Sequence, residues 1–344
     1  MPAPLRLSFL GVTHPHAAAW ADAARDDPET EVVAVYDHDA DAATAFAATY
    51  GADRVARAGE ALAAADAVVV DGRNDEAVPF ATLAVEAGLP VFIEKTGARA
   101  AAELVGLAAS AREAGVVTQM GYFMRYSDSV VATAEALASG ELGRVGLARF
   151  HAAIPHQAWT SMAHWFADAS NVVTPFMEAG CHLVDVVRLL LGEPDDVTAT
   201  SVRWAGTTSP AEDALAATMR VGDTVVVIDF TAHEASPWNI AWGGELYGDA
   251  ATRTFGVTPA RTSVGTGDHV ATVDAPVDLT DADAVRDRMA QENTELMRRG
   301  MRAFADAVRG RTPSPVDATS GARTLELIED VLRAAATPGV RRRD

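Results

Sequence analysis

The first third of the chain alternates short, continuous apolar runs with alanine-rich stretches long enough for helices. The runs are "LRLSFLG", "EVVAVYD", "DAVVVDG", "PVFIEK" and "GVVTQMG", rich in Val and Ile and bounded by Gly, Asp or Pro. Between them lie "PHAAAWADAARD", "DADAATAFAATYG", "AVPFATLAVEAG" and "ARAAAELVGLAASAREAG". A strand with one wet face alternates apolar and polar residues. A strand apolar throughout has to be covered on both faces, as in a parallel sheet flanked by helices. This pattern predicts an α/β N-terminal domain of doubly wound, Rossmann-type architecture over residues 1–123.

The character changes after Gly121. A helical stretch "SDSVVATAEALASG" precedes a strand "VGLARFHAA", and a helix is expected from Thr174 to Leu191, stopped by Gly192 and Pro194. From Asp195 to about Asp274 the pattern is strand-like, with a hairpin turning at Gly222-Asp223 in "MRVGDTVVVI". Strand following strand suggests an α+β C-terminal domain with an open, mostly antiparallel sheet over residues 124–318. Two helices close the chain, "NTELMRRGMRAFADAVRG" and "SGARTLELIEDVLRAAA", the second opened by a Ser/Thr-type cap. Residues 319–344 are expected to pack back on the first domain.

Charge narrows the partners. With 28 basic against 48 acidic residues, a formal net charge of −20, the protein repels phosphate backbones, so nucleic acid is not expected as a partner. Cys181 is the sole cysteine, which excludes an internal disulfide and a thiolate zinc cluster. The apolar run in "MPAPLRLSFLG" is too short for a signal segment, and no stretch reaches the length of a membrane span. A cytoplasmic protein with no membrane partner is the expectation.

The segment "LSFLGVTHPHAAAW" reads as strand, tight turn and helix start, where a dinucleotide-binding domain keeps its G-x-G-x-x-G loop. Gly11 holds the first glycine position; Thr13 and His16 stand at the second and third. The helix N-terminus still offers N–H groups to a phosphate. Thr13, His14 and His16 can donate hydrogen bonds that part-replace a glycine backbone contact. Asp37 ends the second strand, where an acidic residue takes the ribose hydroxyls and disfavours a 2′-phosphate, so NAD is expected over NADP. Its alternative role is to cap the next helix. Lys95 ends a parallel strand and points into the crevice where such sheets bind ligands. Glu178, His182 and Asp185 are spaced i, i+4, i+7 and project from one helix face, so a carboxylate one turn away can tune the imidazole as a base. His151, His156 and His164 add metal-ligand types, but no short ligand pair joins them, and no metal is expected.

The stretches "FIEKTGA", "GYFMRY" and "MEAGCHLVDVVRLLLGEP" together resemble the glucose–fructose oxidoreductase/inositol dehydrogenase (Gfo/Idh/MocA) family. The resemblance extends to "GELGRVGLARFHA", the Glu212-Asp213 pair and "FADAVRGRTPSPVD". It implies an NAD-dependent oxidoreductase acting on a sugar, cyclitol or polyol. Lys95 matches the family's catalytic lysine and His182 its catalytic histidine; Glu178 stands where an Asp is usual. Asn74, Glu94 and Lys95 are placed beside the cofactor by the same resemblance. Tyr122, Arg125, His156, Trp165 and Asp185 become candidate substrate contacts, although Asp185 could instead tie its helix to a neighbour. Thr96 replaces a proline that commonly follows a cis peptide. A homodimer or homotetramer is implied. Two other readings stay open: a net non-redox sugar transformation on tightly held NAD, and a non-catalytic sugar-binding or regulatory protein.

Overall fold

The computed structural model describes residues 3–155, 165, 167–168, 170–171, 173–204, 211–234, 242–267, 269–272, 278 and 280–336. Two compact units share the chain. The first comprises Met1–Phe123, Ala169–Val173 and Thr294–Leu325; the second comprises Met124–Asp168, Thr174–Asn293 and Glu326–Asp344.

In the first unit, β1 (Leu5–Leu10), β2 (Thr30–Tyr36), β3 (Asp53–Arg54), β4 (Ala67–Val70), β5 (Val91–Ile93) and β6 (Thr118–Met120) form a six-stranded sheet in the order β3-β2-β1-β4-β5-β6. Every pairing in it is parallel. The apolar runs became strands because both faces are covered: Leu7, Phe9, Val68, Val69, Phe92 and Ile93 are wholly buried. Helices α1 (Ala17–Asp26), α2 (Ala40–Tyr50), α3 (Ala58–Ala64), α4 (Asn74–Glu86) and α5 (Ala101–Ala114) supply the cover. Strand order reverses between β1 and β4, so the loops leaving their carboxyl ends flank the position where such sheets take ligands. The sequence pattern passes over β3 and α3. The first is a two-residue exposed edge, and the second buries only Ala61, so neither leaves an apolar signature.

In the second unit, α6 (Asp128–Ser139) precedes β7 (Val145–Pro155), and α7 (Cys181–Leu191) precedes a run of strands. These are β8 (Asp196–Val202), β9 (Ala214–Val221), β10 (Thr224–Glu234), β11 (Gly243–Gly248), β12 (Thr252–Gly256), β13 (Arg261–Thr266) and β14 (His269–Thr272). They join β7 in an eight-stranded sheet, β14-β13-β12-β11-β7-β10-β9-β8, in which only β7 and β10 pair in parallel. The hairpin turns where expected, with Val221 opposite Thr224 and Gly222 at φ +56°. Along β9, Leu215, Ala217 and Met219 are buried while the residues between them are not, so one sheet face is covered and the other open.

Two long helices, α8 (Ala282–Val308) and α9 (Ala318–Ala336), complete the fold. The second is capped by Asp317, whose carboxylate accepts the amide of Ser320, and not by the expected Ser or Thr. Residues 294–318, expected with the second domain, group with the first unit. Gln119 donates to the Gly300 carbonyl at 2.7 Å, Phe304 packs against Phe92, and Arg302 and Arg309 pair with Asp27 and Glu29.

Candidate active site

The loop after β1 keeps one strict glycine. Gly11 has φ +77°, and a Cβ there would lie 2.6 Å from the Gly72 Cα, so the loops after β1 and β4 touch backbone to backbone. Asp37, at the end of β2, accepts the Val12 amide at 2.6 Å and the Asp39 amide at 2.7 Å. Its carboxylate thus pins the loop, while Asp39 caps α2. The capping alternative for Asp37 gives way to its neighbour. Two buried polar atoms here, Thr13 Oγ1 and Asn74 Nδ2, have no hydrogen-bond partner among the described residues. Asn74 Oδ1 meanwhile accepts from Thr96. Buried polar atoms left without partners are costly, so they mark where a polar ligand belongs. Together with the side-chain-free approach at Gly11, they fit a dinucleotide.

The side chains of His14 and His16, expected as hydrogen-bond donors in the cofactor loop, meet buried acids. His14 Nδ1 lies 3.4 Å from Asp71 Oδ1, its Nε2 lies 3.2 Å from Lys95 Nζ, and His16 Nδ1 lies 2.8 Å from Glu94 Oε1. Buried acids at the ends of β4 and β5 draw both imidazoles inward. Trp20 completes the shell by donating from Nε1 to Glu94 Oε2 at 2.6 Å. Lys95 is only 3% exposed, with Nζ 3.7 Å from Glu94 Oε1. It is also the chain's single lysine, beside 27 arginines. The Lys95–Thr96 peptide is cis although Thr replaces the proline.

Electrostatics divides the two acids. Burial pushes the Glu94 carboxyl up, but His16, His14 and Lys95 outweigh it and hold the group down at about 2. Asp71 has less opposition: burial, assisted by the Glu94 charge, pushes it up to about 7 against the His14 contact. Burial lowers His16, overriding the Glu94 charge. The ligand atoms of His14, His16 and Glu94 lie within 4.8 Å of one another, a zinc-like donor set. But the His16 amide donates to His14 Nδ1, and the Lys95 ammonium stands beside both His14 and Glu94. With Lys95 Nζ set against two of the three donors, no metal is assigned.

In the second unit the expected uniform helix from Thr174 is instead a π-helical turn, Phe176–Gly180, running into α7. Glu212 accepts the Phe176 amide at 2.9 Å, and Thr174 Oγ1 accepts that of Met177, which satisfies the helix start. Glu178 lies on the π turn and His182 on the first turn of α7, and both are buried. A π turn inside a helix re-aims side chains and is frequent at functional sites. Asp185, wholly buried, is held bidentately by Arg125, Nη2 to Oδ1 at 2.6 Å and Nε to Oδ2 at 3.0 Å. Of the two roles open to Asp185, this bond supports the tie between elements, and it engages Arg125 as well. Trp165 and Tyr122 are buried. His156, His164, Trp159 and Trp238 lie outside the described residues.

Residues 6–122 match the family model described as "Oxidoreductase family, NAD-binding Rossmann fold", and residues 130–252 match the GFO/IDH/MocA C-terminal domain. The chain belongs to the GFO/IDH/MocA oxidoreductase family. It is 35% identical over 170 residues to inositol 2-dehydrogenase 1 of Saccharopolyspora erythraea, covering 46% of each chain. It is 26% identical over 223 residues to D-apiose dehydrogenase of Paraburkholderia graminis, covering 64% of this chain and 54% of that one. The chain spans about half the length or less of the curated relatives it matches. Among solved structures, an inositol dehydrogenase homolog from Azotobacter vinelandii complexed with NAD+ superposes with a TM-score of 0.85 at 18% identity, over 99% of this chain and 97% of that one. At that identity the likeness is one of fold.

Proposed function

We propose that the protein is an NAD-dependent dehydrogenase oxidising a hydroxyl carbon of a sugar, cyclitol or related polyol. One observation carries this reading: the chain's only lysine is buried at the carboxyl end of β5, with Nζ 3.2 Å from His14 Nε2 and 3.7 Å from Glu94 Oε1. A buried ammonium is expensive unless it has work to do. The names of the inositol and apiose dehydrogenase relatives support a polyhydroxylated substrate.

When bound, the nicotinamide supplies the hydride acceptor. Gly11, Thr13 and Asn74 would hold the dinucleotide, and Asp37 would receive ribose hydroxyls while its charge disfavours a 2′-phosphate. His182 takes the hydroxyl proton, Glu178 orients its imidazole, and the Lys95 ammonium stabilises the developing alkoxide. Tyr122, Trp165 and His156 would contact substrate. A homodimer or homotetramer is part of the same proposal. Its support is a row of exposed apolar side chains on neighbouring strands, Val225 beside Leu147 and Leu147 beside Tyr247.

The test is turnover. His182→Ala should lower kcat by about 10²- to 10⁴-fold, the range for a positioned proton acceptor. A His182→Ala enzyme with unchanged rate and unchanged pH profile would end that assignment. Cofactor surviving desalting, with no net NADH formed, would favour the redox-neutral reading. Absence of any dinucleotide binding in calorimetry would favour the non-catalytic one.

A further inference from the structure

At the end of β4 stands a carboxylate that the proposed chemistry does not use. Asp71 is wholly buried, and neither of its oxygens has a hydrogen-bond partner among the described residues; the His14 imidazole lies beside it, Nδ1 at 3.4 Å. On the far side of that imidazole, Nε2 lies 3.2 Å from Lys95 Nζ. Carboxylate, imidazole and amine therefore stand in line, an acid orienting a histidine that meets the reacting group.

We propose that Asp71, His14 and Lys95 form a proton relay, in which Asp71 acts through His14 to set whether Lys95 is an ammonium or an amine. The proposal rests on the reading of Lys95 as the residue at the reacting oxygen. The two ends of the relay are isomers of one proton. In the first, Lys95 is an ammonium donating to Nε2, Nδ1 carries hydrogen towards Asp71, and Asp71 is a carboxylate. In the second, an Nζ–H bond has broken as Nε2–H formed, and Nδ1–H has broken as Oδ1–H formed. Lys95 is then a neutral amine and Asp71 a neutral acid; no charge is created overall.

The contacts around His14 suit both states. Nδ1 faces an acceptor, Asp71, which suits the Nδ1–H tautomer, and a donor, the His16 amide at 3.1 Å, which suits the Nε2–H tautomer. Nε2 faces Lys95, which donates as ammonium and accepts as amine. Charged and titratable groups beside the relay among the described residues include Glu94, 3.8 Å from His14 Nδ1 and 3.7 Å from Lys95 Nζ, and His16, bonded to Glu94. Glu94 is tied to His16 and Trp20 and stays ionised, favouring the ammonium state. Asp71, raised towards neutrality by burial, competes for the proton.

The single lysine makes the relay directly visible. In protein labelled with lysine carrying ¹⁵N at Nζ, one resonance reports Lys95, and ¹³C-labelled aspartate reports the Asp71 carboxyl. Coupled groups titrate in shared macroscopic steps, so both signals should move through the same step near neutral pH in the ligand-free protein. Asp71→Asn should abolish that step at Nζ; His14→Gln should leave Asp71 titrating but uncouple Nζ from it. In turnover, Asp71→Asn should lower kcat by about tenfold or more and displace its pH profile, with the KM for NAD held within a few fold. An Nζ signal with no step where Asp71 titrates, or a step that persists in Asp71→Asn, would overturn the relay. A shared step together with full turnover by Lys95→Ala would keep the relay and sink the dehydrogenase reading of Lys95 instead.

Discussion

Single residues here carry unequal burdens. The folded pKa of Asp71, about 7, lies above its ordinary 3.8, so the folded state binds that proton more tightly than the unfolded chain. Its stabilising effect is therefore present at low pH and lost as pH rises through the folded value. Asp71→Asn should match the parent in urea unfolding near pH 4 and exceed it near pH 8, by roughly 1–3 kcal/mol, the cost of a buried polar group left without a hydrogen bond. Equal stabilities at both pH values would show that the carboxylate is not strained by burial. Asp37 is a different case, since it holds two loop amides. Asp37→Ser should weaken NAD binding and narrow the preference over NADP, both read by calorimetric titration. NADP preferred by the parent protein would show that the carboxylate does not guard the 2′-position.

At the scale of elements, contact between two loops and one buried ion pair deserve mutation. Gly11→Ala puts a Cβ against the Gly72 backbone at a positive φ, so it should cost about 1–3 kcal/mol in denaturant unfolding and loosen dinucleotide binding with it. Asp185→Ala removes the carboxylate that holds the buried Arg125 guanidinium and should cost about 3–5 kcal/mol, whereas an exposed pair would cost almost nothing. Asp185→Ala folding as stably as the parent would deny the tie. The strands of the first unit were legible because runs such as "AVVV" are buried on both faces; β3, exposed and two residues long, had no pattern to read. The π turn was hidden because Glu178, His182 and Asp185 keep a spacing that an α-helix also satisfies. Motif resemblance singles out Lys95, Glu94 and Asn74, but the turn of His14 depends on Asp71, and that of His16 on Glu94. Asp71 lies 57 residues from His14 in the chain. A tally of lysines would have singled out Lys95 without any motif.

For the whole molecule, acidity and the open sheet set the behaviour. With a net charge of −20, copies of the chain repel one another, so self-association needs apolar contact to offset that repulsion and should tighten as salt screens it. Leu147→Asp, in the middle of the exposed apolar row, should shift the protein to monomers in sedimentation velocity without changing its thermal unfolding. An unchanged oligomer would place the interface elsewhere. No helix among the described residues is long and apolar enough to cross a membrane. Lys95 is proposed to serve the chemistry of an NAD-dependent dehydrogenase, and one paired measurement decides that role. NADH formation is followed over a panel of aldoses, cyclitols and polyols for the parent and for Lys95→Ala, with NAD affinity of both measured by calorimetry. The expected result is turnover on at least one polyhydroxylated substrate, most of it lost in Lys95→Ala while NAD affinity stays within a few fold. A Lys95→Ala protein that binds NAD normally and keeps the parent kcat would show that Lys95 takes no part in the chemistry.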